Sequence, residues 1–339
     1  MNRITRFTMI MASAAMVMGC ADRNREKVPA INLSDLDTTC SPAVDFYQYA
    51  TGGWQKNNPL KPEYARFGSF DILNENTENR LNELFKEMTE MKTAKGTVEQ
   101  KISDIYKMGL DSARLNAEGF APVQKYLDQV YAVNDKASLV KLVAEMHNEG
   151  LSPFFGAFVM ADLMNSDMQI LYLTQSGLGI GDRDYYLDPA SAEIKQGYLN
   201  FLTRVFGLAG VSEPEKAAAN ALDVETQIAT ASWTRVQERD MEKIYNPTNT
   251  PALEKAYDGF DFTSYFAARN IADQDKLVVC EPSFFEAFSK YFAEADINVL
   301  KDYLAGQLIQ DACGAVSDDF YDASFDFFSK QMTGVTQQK

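Results

Sequence analysis

One histidine stands in the 339-residue chain, His147, in the run Glu145-Met146-His147-Asn148-Glu149. A hydrolytic zinc helix needs two histidines one turn apart with a glutamate between them, so that ligands and base face one ion. His147 has no such partner. Its place beside apolar positions on a helical pattern reads as a structural imidazole rather than a ligand. Cys280 and Cys313 lack a second candidate base nearby in sequence, and a nucleophilic thiol needs one. Ser176-Gly177-Leu178-Gly179 looks superficially like a phosphate-cradling loop, but the lysine and the spacing are missing. The chain therefore presents no catalytic set.

The elements that must carry these residues are mostly helical. Leu73, Leu81, Leu84, Phe85 and Met88 form one stripe at helical spacing, and Val98, Ile102, Ile105, Tyr106 and Gly109 form a second. Leu139, Leu142, Val143 and Met146 form a third, entered through Asn134 or Asp135 as its cap. Helical periodicity returns over about 193–207, 214–239 and 282–316, with Pro247 and Pro251 in a connection. One segment breaks the period. Phe154 to Val159 and Ile170 to Thr174 are aromatic and β-branched, separated by Asn165-Ser166-Asp167, which predicts a β-hairpin with a longish turn. The expected fold class is mainly α, a large multi-helix domain with a minor β-hairpin.

Composition is that of a soluble globular chain, 46% hydrophobic and 24% charged. A formal charge of −16 repels polyanions, which excludes nucleic acid as the expected partner. The first residues predict export: Arg3 and Arg6 precede an uncharged apolar run from Phe7 to Met18, too short to span a bilayer. That run ends at Val17-Met18-Gly19-Cys20, a lipobox-like site with Met18 where a small residue is usual. Cys20 is thus the expected lipidation site, and acyl chains would anchor the protein to a bacterial envelope membrane. Cys40, Cys280 and Cys313 remain, and the expectation is free thiols over a Cys280–Cys313 bridge.

A series of stretches carries a family resemblance. Asp45-Phe46-Tyr47-Gln48-Tyr49-Ala50-Thr51-Gly52-Gly53-Trp54 resembles the opening motif of the neprilysin-like and PepO-like (M13) zinc peptidases, with Thr51 in place of an asparagine. Arg66-Phe67-Gly68-Ser69-Phe70-Asp71 and Gln175-Ser176-Gly177-Leu178-Gly179-Ile180-Gly181-Asp182-Arg183-Asp184-Tyr185-Tyr186 resemble two further segments, Gly181 replacing a proline. Glu225-Thr226-Gln227-Ile228-Ala229, then Glu238-Arg239-Asp240 and Tyr245-Asn246, follow in the family's order. Read from the residues alone, Gly52-Gly53 suits a turn at positive φ. Asp182, Arg183 and Asp184 suit helix caps and charge-assisted loop bonds.

The resemblance implies a set of expectations. Arg66 would be the fork that meets the C-terminal carboxylate of peptide substrates, oriented by Asp71. Zinc, expected in full-length members, has no HExxH or ExxxD ligands here, so the chain itself would bind no cofactor. The expected organisation is a signal peptide over 1–19 and a lipid-anchored tether over 20–37. An entry segment over 38–75 and a helical substrate-gating domain over 76–339 follow, with the catalytic zinc domain as the missing partner. A stand-alone peptide- or partner-binding lipoprotein is the alternative, and a fragment of a longer gene product is a third.

Overall fold

The computed structural model describes residues 30–339; the predicted signal, Cys20 and the first part of the tether lie outside them. The chain divides into two compact units after Lys61. In the first, a short 3₁₀ turn, Leu33–Asp35, precedes helix α1, Phe46–Asn57. Asp45 caps α1, its side chain accepting from Gln48 N at 2.9 Å. The glycine pair is not the expected turn: Gly52 and Gly53 lie inside α1. A Cβ on Gly53 would overlap the carbonyl oxygens of Ser34 and Leu36, so the pair admits a close backbone approach.

The second unit, Pro62–Lys339, opens with α2 (Ser69–Glu90), α3 (Val98–Gly109) and α4 (Ser112–Glu118). Then come α5 (Ala121–Ala132), α6 (Lys136–Asn148), β1 (Phe155–Asp162) and β2 (Asn165–Gln175). The chain continues through α7 (Asp184–Leu187), α8 (Ala192–Leu208) and α9 (Pro214–Ala231). Next are β3 (Asn246–Thr248), α10 (Thr250–Ala256), α11 (Phe262–Ala268) and β4 (Leu277–Val279). It ends with α12 (Pro282–Glu294), α13 (Ile297–Ala312), α14 (Asp318–Ser324) and a π-helical segment, Phe325–Gln331. The fold is mainly α with a small sheet, as the periodicity predicts. Asp135, not Asn134, caps α6, accepting from Ser138 N at 2.7 Å.

The hairpin is present, but its turn is Leu163-Met164, with Asn165 already in β2 and a bulge between Ala161 and Asp162. Two further strands, β3 and β4, extend it to the order β1-β2-β4-β3, with β2 and β4 parallel. Three residues are too few for a period of two to be visible, so these strands escape sequence reading. The predicted helix over 282–316 is two helices, separated where Asp296 caps α13.

Sheet and helices meet in an aromatic core. The Phe155 ring lies 5.1–5.8 Å, centroid to centroid, from His147, Phe260, Phe262, Tyr265, Phe285 and Phe288. The helices α2 and α3 do the opposite. They touch through Phe85 and Tyr106, rings 5.4 Å apart, yet α2 buries none of its 22 residues. No helix among the described residues is long and apolar enough to cross a membrane.

Candidate functional site

Two of the motif stretches converge on one buried carboxylate. Glu225, in α9, is 1% exposed. Its Oε2 accepts from Gly179 N at 3.0 Å and from the Tyr186 hydroxyl. Its Oε1 accepts from the Tyr198 hydroxyl and from Gln307 Nε2, both at 2.9 Å. The turn after β2 is held on its other side as well. Gln310 Nε2 donates to Gly179 O at 2.8 Å, and the Tyr303 hydroxyl donates to Gly177 O at 2.9 Å. Gly179 is the residue this requires, because a Cβ there would overlap the Tyr198 hydroxyl. Burial pushes the Glu225 carboxyl up to about 7, against its four donors, and no described cation pairs with it.

The adjoining charges close the same turn. Arg235 Nε meets Asp182 Oδ2 at 2.5 Å, Arg183 Nε donates to Ala229 O at 3.2 Å, and Asp182 Oδ1 accepts from Asp184 N at 3.0 Å. Gln175 bridges Trp233 and Glu238, accepting from Trp233 N at 2.6 Å. The charged and glycine-rich motifs are thus a brace on the 175–186 segment. Tyr198, Tyr303, Gln307 and Gln310 escaped sequence reading; their only trace is polar residues at helical spacing within apolar helices.

Arg66 lies on the exposed segment between Pro62 and α2. Asp71 is engaged at its own helix end. Asp71 Oδ2 accepts from Gly68 N at 2.7 Å, closing the N-terminal turn of α2. The segment is fixed from behind by the C-terminal residues: Thr336 N donates to Pro62 O at 3.2 Å, and Lys339 Nζ meets Glu78 Oε2 at 2.7 Å. Beside it, Glu63 Oε2 is enclosed with no hydrogen-bond partner among the described residues.

The described residues do not fit zinc. His147 Nδ1 faces the Tyr265 hydroxyl at 2.5 Å and Nε2 faces Pro153 O at 3.0 Å, so both ring nitrogens are engaged. Burial lowers this imidazole to about 4, keeping it neutral at physiological pH. Cys280 and Cys313 are buried free thiols, each pushed up by burial to about 12. No trio of His, Cys, Asp or Glu among the described residues is placed to hold a metal ion.

Fold and site together define a large helical domain with a braced interior and an open apolar flank. Residues 42–339 match the sequence profile of peptidase family M13, and the chain belongs to that family. It is 27% identical to endothelin-converting enzyme 1 of Homo sapiens over 87% of this chain and 40% of that enzyme. It is 24% identical to mouse (Mus musculus) neprilysin over 94% of this chain and 46% of that protein. The Mycobacterium tuberculosis zinc metalloprotease Zmp1, solved with an inhibitor, superposes with a TM-score of 0.86 at 26% identity, over 91% of this chain and 48% of Zmp1. The PepO structure from Lactobacillus rhamnosis, at 17% identity and a TM-score of 0.71, shares the fold. The chain therefore spans less than half the length of these relatives.

Proposed function

We propose that this chain is the substrate-gating N-terminal part of an exported M13-type zinc endopeptidase, and that it hydrolyses nothing by itself. The observation that carries this reading is the open apolar flank of α2 and α3. Phe70 is 82% exposed and Ile105 70%, on helices that among the described residues touch little besides each other, in a chain that spans less than half of its relatives. The half of those relatives that lies beyond the match is the natural cover for that flank. The enclosed Glu63 oxygen, beside Arg66, supports the same reading, since a buried acceptor without a donor marks an incomplete surface.

In this role the helical unit closes over a peptide, and Arg66 meets the substrate's terminal carboxylate through two parallel N–H bonds. In the isolated chain Arg66 faces water, where such a pair contributes about 0–1 kcal/mol. Short peptides should then bind no better than millimolar. Cys20 supplies the membrane anchor in this reading, and Cys20→Ala should release the protein from membranes into the soluble fraction.

Two measurements test the function. The purified chain should hold no stoichiometric zinc and cleave no peptide; one tight zinc per chain with chelator-sensitive hydrolysis would overturn the reading. Joined to the catalytic half of a close relative, Arg66→Met should weaken free-acid peptides while amidated versions lose little. Equal losses for both peptide forms would make Arg66 structural.

A further inference from the structure

The brace on the 175–186 segment contains one more acceptor than its hydrogens can serve. The Tyr198 hydroxyl lies 2.9 Å from Glu225 Oε1 and 2.9 Å from Gln310 Oε1. Gln310 cannot turn its amide to relieve this, because its Nε2 already donates to Gly179 O at 2.8 Å. One phenolic hydrogen therefore faces two oxygens, and one contact is left without a hydrogen. A proton on Glu225 Oε1 completes the chain: Glu225 O–H donates to the Tyr198 oxygen, and Tyr198 O–H donates to Gln310 Oε1.

The rest of the surroundings favour that proton. Tyr186 on α7, Tyr198 on α8 and Tyr303 on α13 are the titratable groups facing the carboxyl, and burial beside Glu225 raises all three well above the usual tyrosine range. They stay neutral and offer no positive charge. Gly179 N, Gln307 and Gln310 complete the shell, and all are uncharged. An ionised Glu225 would thus sit buried without a counter-charge.

We propose that Glu225, Tyr198 and Gln310 form a proton-linked latch, which takes up one proton when the 176–181 turn closes and releases it when the turn opens. The latch ties two motif stretches of this chain, 175–186 and 225–229, to one proton. It concerns the helical unit itself and holds whether or not that unit gates a peptidase.

The sign follows from linkage. The folded carboxyl sits at about 7 against an ordinary 4.5, so its stabilisation is fully present below about 4.5 and is lost as pH rises through about 7. His147, lowered from 6.5 to about 4, acts with the opposite sign between those values. The wild-type melting curve alone therefore masks the effect, and the test must be specific to Glu225.

The experiment has two arms on the full chain. In the first, ¹³C-carboxyl NMR follows glutamates from pH 4 to pH 8.5, with Glu225 assigned by through-bond correlation to its own backbone. The latch predicts a midpoint above about 6; a midpoint in the ordinary carboxylate range overturns it. In the second, the melting temperature of Glu225→Gln minus that of wild type is measured across the same range. The difference should rise by several degrees from pH 5 to pH 8, because the amide mimics the protonated acid at every pH. A flat difference overturns the latch. If Glu225→Gln does not fold, Tyr198→Phe, which removes the bridging hydroxyl, should move the Glu225 midpoint by at least half a unit. An unmoved midpoint would show that Tyr198 is no part of the latch.

Discussion

Phe155 and Leu81 are both large apolar residues on regular elements of one helical unit, yet Phe155 is fully buried and Leu81 keeps 43% of its surface in water. The difference extends along the chain. From α5 onward nearly every apolar stripe is covered, with rings interlocking around Phe155 and polar groups tied into the Glu225 brace. Along α2 and α3 the stripes are as regular, but among the described residues they face water for most of their length. A stripe at helical spacing states which face is apolar; it does not state what covers it. In the body the cover belongs to this chain. On the flank, in our proposal, it belongs to the half of the relatives that this chain does not span.

The largest test of that contrast is Phe155→Ala. Removing a ring that meets six others should cost about 3–5 kcal/mol in chemical denaturation. A loss under about 1 kcal/mol would mean that the body is packed no better than the flank.

Gly179→Ala comes next. Its methyl would displace the Tyr198 hydroxyl from Glu225, at about 1–3 kcal/mol for overpacking together with a disturbed buried network. A neutral result would show that the brace can move aside.

Local opening should follow the same order. Amides of α2 and α3 should exchange through openings well below the global unfolding free energy, while those of β2 and α13 exchange only with the whole. Equal protection in both regions would erase the distinction.

The smallest effect belongs to the flank. Leu81→Ala or Ile105→Ala should change the stability of this chain by no more than about 0.5 kcal/mol, measured on the same denaturation curves. A loss comparable to that of Phe155→Ala would mean that these residues are core.

The same contrast explains what could be read from residues alone. Helices α6 and α8, the β1–β2 hairpin and the family were legible, because long periods and ordered motifs survive without coordinates. The Gly52-Gly53 pair was misread as a turn because glycine serves both positive φ and close approach, and only the neighbouring 3₁₀ turn separates them. Asp71 follows Arg66 at a spacing that suits an ion pair, yet that position is also the third residue of a helix whose free N–H groups attract it. The Glu225 brace was half legible: the motifs gave Gly179, Tyr186 and Glu225, while Tyr198, Gln307 and Gln310 come from helices with no motif to flag them.

The most direct measurement is amide exchange of this chain alone and mixed with the part of Zmp1 that lies beyond the matched region. Slower exchange is expected on α2, α3 and residues 62–68, with the interior from α8 to α13 unchanged. Protection confined to α8–α13, or none on α2 and α3 at concentrations where the two chains associate, would contradict it.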